Sequence, residues 1–343
     1  MIEPRSGNIL DDHATALVNT VNTFGVMGKG IALQFRQAFP ENYEVYRRAC
    51  EKGEVTPGHM LVVPTNRLQN PKYIINFPTK RHWKGKSRIE DIKVGLVDLV
   101  AVLKRERIES IAIPPLGCGN GGLDWQDVRP LIVDALGSLP TVVVHLYEPH
   151  GAPAVEAMRI ATKKPHLTSN GAALLSVMRD YGIPGYQLTL LEIQKLAYFL
   201  QMAGQPWKLN FEKNKYGPYA EELNHVLQRM EGHYIRGYGD RSREASVRVL
   251  AEGSETADQI LMDEVSTVER VARVAELIEG FETPHGMELL ASVHWVTQES
   301  AIAKTDWQES FALIQSWNER KQKVFPASQV RVAFGQLKHQ GWI

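Results

Sequence analysis

The chain has 343 residues, more than most single domains need, so its length predicts two domains. Apolar residues make up 43% and charged residues 23%, as in ordinary globular proteins, and 39 basic residues balance 39 acidic ones. Net charge therefore gives no sign of a nucleic-acid partner, which only local clustering could indicate. The two cysteines are too few for a disulfide framework, and we find no signal-peptide or membrane-span pattern. We expect a cytoplasmic protein without a membrane partner.

Residues 1–150 alternate short apolar strand patterns with helical patterns. We predict strands at 16–21, 59–64, 73–78, 110–115 and 141–149, and helices at 30–39, 41–53, 88–107 and 125–139. The strand patterns are β-branched runs bounded by Gly or Pro, as is usual for strands buried on both faces. This alternation predicts a three-layer α/β fold.

The pattern changes after residue 150. Residues 151–170 are rich in Pro, Gly and Ala and are interpreted as a linker. Residues 171–343 are predicted to form a mainly helical domain, with one alternating segment at 241–254 that suggests a strand. The predicted helices cover 171–181, 188–203, 218–230, 264–282, 285–301, 306–322 and 326–339.

Two glycine-rich loops each follow a predicted strand and lead into a predicted helix. The first is "GVMGKGI", residues 25–31, and the second is "GCGNG", residues 117–121. Glycine allows close approach of the backbone to a ligand, and a helix N-terminus favours an anion. Each loop alone is more simply a tight turn, but the pair predicts a diphosphate held from two sides at the carboxyl ends of the strands.

A basic run with an aromatic residue follows the strand at 73–78. It contains Lys80, Arg81, Trp83, Lys84 and Lys86. Cations mixed with an aromatic ring suit a single-stranded nucleic acid, although a solvated basic loop is the commoner explanation of such a run. We interpret Arg81, Trp83, Lys84 and Lys86 as candidate DNA contacts.

The segments "SGNILDDHATALVNTVNTFGVMGKGIALQF" and "IPPLGCGNGGLDW" resemble the macrodomain, a module that binds ADP-ribose. The resemblance covers residues 1–148 and implies a three-layer α/β fold with a mixed central sheet. More narrowly, it is to the DarG-type macrodomain antitoxins, hydrolases that remove ADP-ribose from bases in single-stranded DNA, thymidine among them, and that counter a DNA ADP-ribosyltransferase toxin. No cofactor and no metal are implied, and no Cys or His pair has zinc spacing.

The resemblance assigns substrate-binding roles to named positions. Asn8 and Ile9 would contact adenine, although many macrodomains have Asp at the position of Asn8. Asn22 would meet the distal ribose; from the residues alone, turn capping is the simpler role for Asn19 and the less plausible one for Asn22. The two phosphate loops would be formed by Gly28, Lys29, Gly30 and Ile31, and by Gly117, Cys118, Gly119, Asn120 and Gly121.

The resemblance also implies that Lys80 is the nucleophile that attacks the distal ribose. A free lysine is almost fully charged at neutral pH, and nearby positive charge lowers its pKa, for which Arg81 and Lys84 are the neighbours in sequence. Some relatives pair this lysine with an aspartate in the second loop, where this chain has Gly121. Asp124 lies three residues further on, and the acid/base partner stays open at this point.

The second half resembles Panacea-type antitoxin modules around "KLAYF" and "KYGPY". This resemblance implies that residues 171–343 bind and neutralise the toxin, and we expect the binding face near Tyr216, Tyr219 and Tyr234. The expected function is thus a two-part antitoxin: a DNA ADP-ribosyl glycohydrolase joined to a toxin-binding domain. Two alternatives are a reader that binds ADP-ribose without cleaving it and an antitoxin that acts only by binding its toxin.

Overall fold

The computed structural model describes residues 1–149, 151, 153–181, 185–241 and 244–343. Their contacts divide the chain into two compact units. The first comprises Met1–Lys163 with Asp240–Arg243, and the second comprises Lys164–Gly239 with Glu244–Ile343. Within the described ranges, no helix combines the length and the apolar character that crossing a membrane would require.

One six-stranded sheet forms the centre of the first unit. Its strands are β1 (Ile2–Arg5), β2 (Ala16–Asn22), β3 (Leu61–Pro64), β4 (Tyr73–Lys80), β5 (Ser110–Ile113) and β6 (Val143–Tyr147). They lie in the order β1-β6-β5-β2-β4-β3, and only the β3–β4 pair is antiparallel. The sheet is mixed, as expected. Strand β1 escaped prediction because it is a short edge strand with two exposed residues.

Four helices cover the two faces of this sheet. They are α1 (Gly30–Ala38), α2 (Pro40–Glu51), α3 (Ile89–Arg105) and α4 (Trp125–Gly137). Alternate residues of β2 point to opposite faces, so Val18 packs in the core beneath α3 and α4 while Leu17 packs with Phe35 of α1. Both faces are buried, and the predicted three-layer α/β fold is confirmed.

The strand order decides where the loops meet. Strand β2 pairs in parallel with both β4 and β5, so the carboxyl ends of these three strands lie side by side. Asn22 at the end of β2 pairs with Lys80 at the end of β4, across a local irregularity in register. Both glycine loops and the basic run therefore leave the sheet at the same edge.

The second unit is mainly helical, and its described residues also include short paired strands. Its helices are α5 (Ser169–Arg179), α6 (Leu190–Met202), α7 (Glu221–Met230), α8 (Ala251–Leu261), α9 (Val265–Ile278), α10 (Pro284–Glu299), α11 (Trp307–Trp317), α12 (Glu319–Val324) and α13 (Ala327–His339). Its strands are β7 (Leu188–Thr189), β8 (Glu212–Asn214), β9 (Gly217–Tyr219), β10 (Ile235–Arg236) and β11 (Ser246–Val249). One large apolar core runs through the whole unit.

Three predictions for this unit need correction. Pro218 lies in the β8–β9 hairpin rather than in the first turn of a helix, and α7 begins after it. The helix predicted at 306–322 is two helices, because the Asn318 side chain accepts from Lys321 N and starts α12 afresh. The strand predicted at 241–254 is shorter, and α8 follows it directly; residues 242–243 of that prediction lie outside the described residues.

Candidate functional site

The first glycine loop is shaped by the side chain of Asn22. Its Oδ1 accepts from Phe24 N at 2.8 Å, and its Nδ2 donates to Val26 O at 2.6 Å. The hydroxyl of Tyr46 donates to the Asn22 carbonyl at 2.6 Å. This side chain therefore closes the turn at residues 22–26. Asn22 lies beside the loop, as the resemblance requires, but both polar atoms of its side-chain amide are already hydrogen-bonded within the protein.

Asn19 does not cap the turn, although the sequence favoured that role for it. It is fully buried in β2, three residues before Asn22, and its Nδ2 donates to Asn76 Oδ1 at 3.0 Å. Asn76 in turn donates to Asn42 Oδ1 at 2.7 Å. The interpretation of Asn19 as the turn-capping residue was wrong: Asn22 caps the turn, and Asn19 belongs to a buried amide network beneath it.

The first loop continues into the N-terminus of α1. Gly30 has φ of 61°, in the left-handed region, and its N–H donates to the carbonyl of Asp240, which groups with this unit, at 2.9 Å. Within the described residues, the N–H groups of Gly28 and Lys29 have no partner. Ile31 packs its side chain against the α1 side of the core. The loop thus presents two backbone donors.

The second glycine loop presents a row of backbone donors. The N–H groups of Gly119, Asn120 and Gly121 make no hydrogen bond within the described part of the chain. Consecutive amides of this kind form an anion-binding concavity. A Cβ on Gly30 would meet Asn120 Nδ2 at 2.8 Å, so the two loops touch.

Gly121 is a glycine for a steric reason. A Cβ there would lie 2.2 Å from Gly117 O and 2.3 Å from Ser87 Oγ. Ser87 is buried, and its N–H donates to the Gly121 carbonyl at 3.0 Å, so the basic run packs directly on this loop. The aspartate that some relatives have at this position could not be accommodated here. Asp124 does not replace it, because its side chain caps α4 by accepting from Gln126 N at 2.8 Å.

Cys118 lies in the same loop and contributes shape rather than a thiolate. Its thiol is half-buried against the core under α3 and α4. Burial, with a smaller contribution from the Asp124 charge, raises the pKa of the Cys118 thiol to about 11. The thiol is therefore protonated at neutral pH and is not an activated nucleophile.

Lys80 joins the two sides of the site. Its Nζ donates to the carbonyl oxygen of Asn120 in the second loop. Burial lowers the pKa of the Lys80 ammonium, and the positive charge of Lys86 lowers it further. We expected Arg81 and Lys84 to supply that charge, and this was wrong. Sequence distance misled because the chain turns after Trp83 and returns Lys86 to the second loop, where a Cβ on Gly122 would lie 2.9 Å from Lys86 Nζ.

The remaining members of the basic run face different neighbours. Arg81 makes a two-pronged ion pair with Asp91 of α3, at 2.8 and 3.3 Å. Lys84 lies over the ring of Trp83, with Nζ 4.7 Å from the ring centre. The Trp83 side chain is 44% exposed. An indole left in water beside a cation is an available surface for a base.

The predicted adenine contacts lie on a short 3-10 turn, Ile9–Asp11. Asn8 Oδ1 caps this turn by accepting from Leu10 N at 3.1 Å, and Ile9 is buried. The Nδ2 of Asn8 is buried and has no partner among the described residues. Asn8 can therefore donate a hydrogen bond, whereas the Asp of other macrodomains accepts one.

Sequence reasoning missed Phe24, His82 and Ser87. Phe24 is 61% exposed, although it is a large apolar residue next to glycine, and that unusual placement was visible in "NTFGV". Ser87 carried no signal, because its contact with Gly121 joins distant parts of the chain. Across the described residues, no group of three or more His, Cys, Asp or Glu side chains could hold a metal ion.

The mixed sheet, the two touching glycine loops and the lysine between them define a macrodomain, and the Macro domain family matches residues 18–132. The chain is 47% identical over 335 residues to a DNA ADP-ribosyl glycohydrolase of Thermus aquaticus, covering 98% of this chain and 92% of that protein. It is 41% identical to one of Mycobacterium tuberculosis, covering 98% and 99%. The chain belongs to the family of DNA ADP-ribosyl glycohydrolases.

A third relative matches less than half of the chain. It is a "DNA ADP-ribosyl transferase-DNA ADP-ribosyl glycohydrolase fusion protein" of Thermosipho africanus, 37% identical over 158 residues. The match covers 42% of this chain and 40% of that protein.

Proposed function

We propose that this enzyme removes ADP-ribose from a base of single-stranded DNA, thymidine being the base we favour, with Lys80 as nucleophile. One observation carries the proposal: the Lys80 amine is held against Asn120 of the second glycine loop, next to three backbone N–H groups that have no partner in the described part of the chain. A diphosphate bound at those donors brings the distal ribose to the same edge of the sheet as the lysine.

The chemistry balances with Lys80 alone. The neutral amine attacks C1″ of the distal ribose, and the bond from C1″ to the base nitrogen breaks with its electron pair going to the base. The proton that Nζ sheds on forming its bond can neutralise the leaving base. Water then cleaves the C1″–Nζ bond, which releases ADP-ribose and restores the lysine. No side-chain acid is required, in agreement with Gly121 and with the engaged Asp124.

The pKa of Lys80 supports this role. An ordinary lysine has a pKa near 10.5, so few of its amines are neutral at pH 7. Burial and the charge of Lys86 both lower the pKa and enlarge the neutral fraction. The positive charge of Lys86 also favours an anionic ligand, since Lys86 lies at the loop that would hold the diphosphate.

The hydrogen-bond donors and side chains around the site suggest where the other parts of the substrate would bind. The amides of Gly28 and Lys29 would share the diphosphate with the second loop, and Asn22 and Ile31 would flank it. The free Nδ2 of Asn8 would donate to an adenine ring nitrogen beside Ile9. The DNA strand would lie along the basic run, with Lys84 and Lys86 near phosphates and Trp83 against a base.

Parallel incubations test the reaction class. The full chain is incubated with ADP-ribosylated single-stranded DNA, ADP-ribosylated protein and free ADP-ribose derivatives, and released ADP-ribose is measured. We expect release from the DNA substrate. Tight binding of ADP-ribose without release from any substrate would instead establish a reader.

The DNA contacts are tested by salt dependence. Each phosphate contact on a single strand contributes about 0.7 to the slope of log affinity against log salt. Changing Lys84 and Lys86 to Gln should therefore flatten the slope for modified DNA by more than it flattens the slope for free ADP-ribose, which Lys86 alone would contact. Lys104→Gln, on the exposed side of α3, is the matched control. An unchanged slope would show that the run is a solvated loop.

We further propose that the second unit binds and neutralises a cognate DNA ADP-ribosyltransferase toxin. The support is the Thermosipho africanus relative, whose name joins a transferase and a glycohydrolase in one protein. The expected binding face needs correction, since Tyr234 is 3% exposed and donates its hydroxyl to Pro165 O. Tyr216 is 42% exposed and stays a candidate.

Two fragments separate the activities. The first should extend to residue 163, because Met158 is buried, Arg159 donates to Leu10 O and Ala161 N donates to Gln37 O. We expect fragment 1–163 to release ADP-ribose and fragment 164–343 to co-purify a catalytically inactive toxin. If only the first fragment retains the toxin, the antitoxin role of the second unit is wrong. If the full chain releases no ADP-ribose but the second fragment retains toxin, the purely protein-binding antitoxin is the better description.

A further inference from the structure

Three aromatic side chains form a continuous stack beside Lys80. The ring of Phe24, on the first glycine loop, lies edge-on to His82 with centroids 4.9 Å apart and an interplanar angle of 64°. His82 stacks on Trp83 at 5.7 Å and 27°. Phe24 is 61% exposed and Trp83 is 44% exposed. This Phe24–His82–Trp83 stack therefore presents aromatic surface to solvent instead of filling a core.

The stack is built by the backbone bonds that also surround Lys80. Thr23 N donates to the Lys80 carbonyl at 3.0 Å, and Thr23 Oγ1 donates to the Arg81 carbonyl at 2.7 Å. These bonds join the turn after β2 to the segment after β4, and so they bring Phe24 onto His82. A Phe side chain is more stable buried than in water, so an exposed Phe held in place by its neighbours suggests a ligand.

The cations around the stack indicate which ligand fits. Lys84 lies over the Trp83 ring, and Lys86 returns to the second glycine loop on the Lys80 side. A surface of exposed rings and lysines beside the reacting amine matches alternating bases and phosphates. In a duplex the base faces are covered by their neighbours, so this surface suits an unpaired strand.

We propose that the Phe24–His82–Trp83 stack is a platform on which unmodified bases next to the ADP-ribosylated nucleotide lie, and that it gives the enzyme its preference for single-stranded DNA over smaller substrates. The proposal rests on the proposed function, since it takes Lys80 as the point where the modified base lies. Because every base has an aromatic face, the platform would bind a modified DNA strand more tightly than a modified mononucleoside, whatever the sequence of the strand.

The test compares two substrates in the full chain. Phe24→Ala and Trp83→Ala are assayed on an ADP-ribosylated oligonucleotide and on an ADP-ribosylated mononucleoside. Stacking is worth about 1–3 kcal/mol per base, so the ratio of kcat/KM for oligonucleotide to mononucleoside should fall roughly 5- to 150-fold. Phe24→Tyr and Trp83→Phe should keep the ratio. Leu68→Ala, at a side chain 98% exposed in the same unit, is the matched control.

Two results would overturn the platform. An unchanged ratio in both alanine variants would show that the rings carry no base. An unchanged ratio together with loss of co-purified toxin would assign the surface to a protein partner.

A binding measurement separates this inference from the nucleophile. Unmodified single-stranded oligonucleotide is titrated by fluorescence anisotropy into Lys80→Ala and into Lys80→Ala with Phe24→Ala. Weaker binding in the double variant supports the platform whatever Lys80 does, and equal binding contradicts it. Release of ADP-ribose by Lys80→Ala would defeat the nucleophile alone.

Discussion

Each unit of the molecule contains a lysine whose pKa lies below its ordinary value, and the two lysines differ in access. Lys80 lies at an open edge between two loops, and Lys195 of α6 is 1% exposed inside the helical core. Burial is the larger cause in both cases, and a second lysine is the next, Lys86 for Lys80 and Lys321 for Lys195. A lowered pKa alone therefore does not identify a nucleophile; a reacting carbon must also be able to reach the amine.

Lys195 has a structural explanation. Its Nζ donates to Pro218 O at 2.6 Å, and a Cβ on Gly217 would meet Lys195 Cε at 3.3 Å. Lys321 donates to Glu288 at 3.0 Å and to Ser292 at 2.8 Å close by. The "YGP" motif is thus the turn that packs over a buried lysine, and Gly217, with φ of 93°, is required there.

The largest expected effect comes from removing the accessible lysine. Lys80→Ala should reduce single-turnover release of ADP-ribose from modified DNA on the order of a thousandfold or more, because the proposed covalent intermediate forms on this amine. ADP-ribose affinity should change little, since the backbone donors stay. Lys195→Met is the control and should release ADP-ribose normally. If Lys80→Ala released ADP-ribose at a rate near wild type, Lys80 would not be the nucleophile and would not differ from Lys195 in function.

The next effect concerns the second loop. A Cβ on Gly119 would meet nothing within 4 Å, so Gly119→Val should leave the fold intact and yet obstruct a phosphate at the adjacent donors. We expect ADP-ribose affinity by calorimetry to fall about tenfold or more, with an unchanged melting temperature. Gly137→Ala, which also meets open space, is the control. Full affinity in Gly119→Val would mean that the loop is an ordinary turn.

A smaller effect tests the charge next to Lys80. Lys86→Met should raise the pKa of Lys80, because it removes a neighbouring positive charge. The neutral amine would then form at higher pH, so the rising limb of the pH–rate profile should move to higher pH and the rate at pH 7 should fall ~2- to 10-fold. Lys84→Met should not move the limb. A shift in Lys84→Met alone would restore the assignment made from sequence distance.

Changing Lys195 to Met should affect activity least, but it should clearly affect how stability depends on pH. Burial lowers the pKa of Lys195 to about 7 from 10.5, so above pH 7 the unfolded chain holds a proton that the folded chain has released. The free energy of unfolding should therefore rise with pH between about 7 and 10.5. Lys195→Met should flatten this rise, measured by urea unfolding from pH 7 to 9 while catalysis stays intact. An equally steep rise in the variant would show that Lys195 does not titrate in this range.

Local sequence determined the class of fold and the parts of the site. The strand and helix periods are properties of neighbouring residues, and the three-layer fold that they predict is confirmed. The glycines after two strands and the lysine at the end of β4 are local too, and the family indicated by the resemblance of these segments is confirmed. The hairpin β8–β9 and the break at Asn318 were missed, because a single turn residue overrides a helical period.

Tertiary structure decided which of these parts meet. Parallel pairing of β2 with β4 and β5 brings residues about a hundred positions apart to one edge of the sheet. Only that geometry brings the charge of Lys86 to bear on Lys80, sets Ser87 against Gly121, and brings Phe24 onto His82. Electrostatic and steric effects depend on distance in space, and the distance along the chain does not determine it.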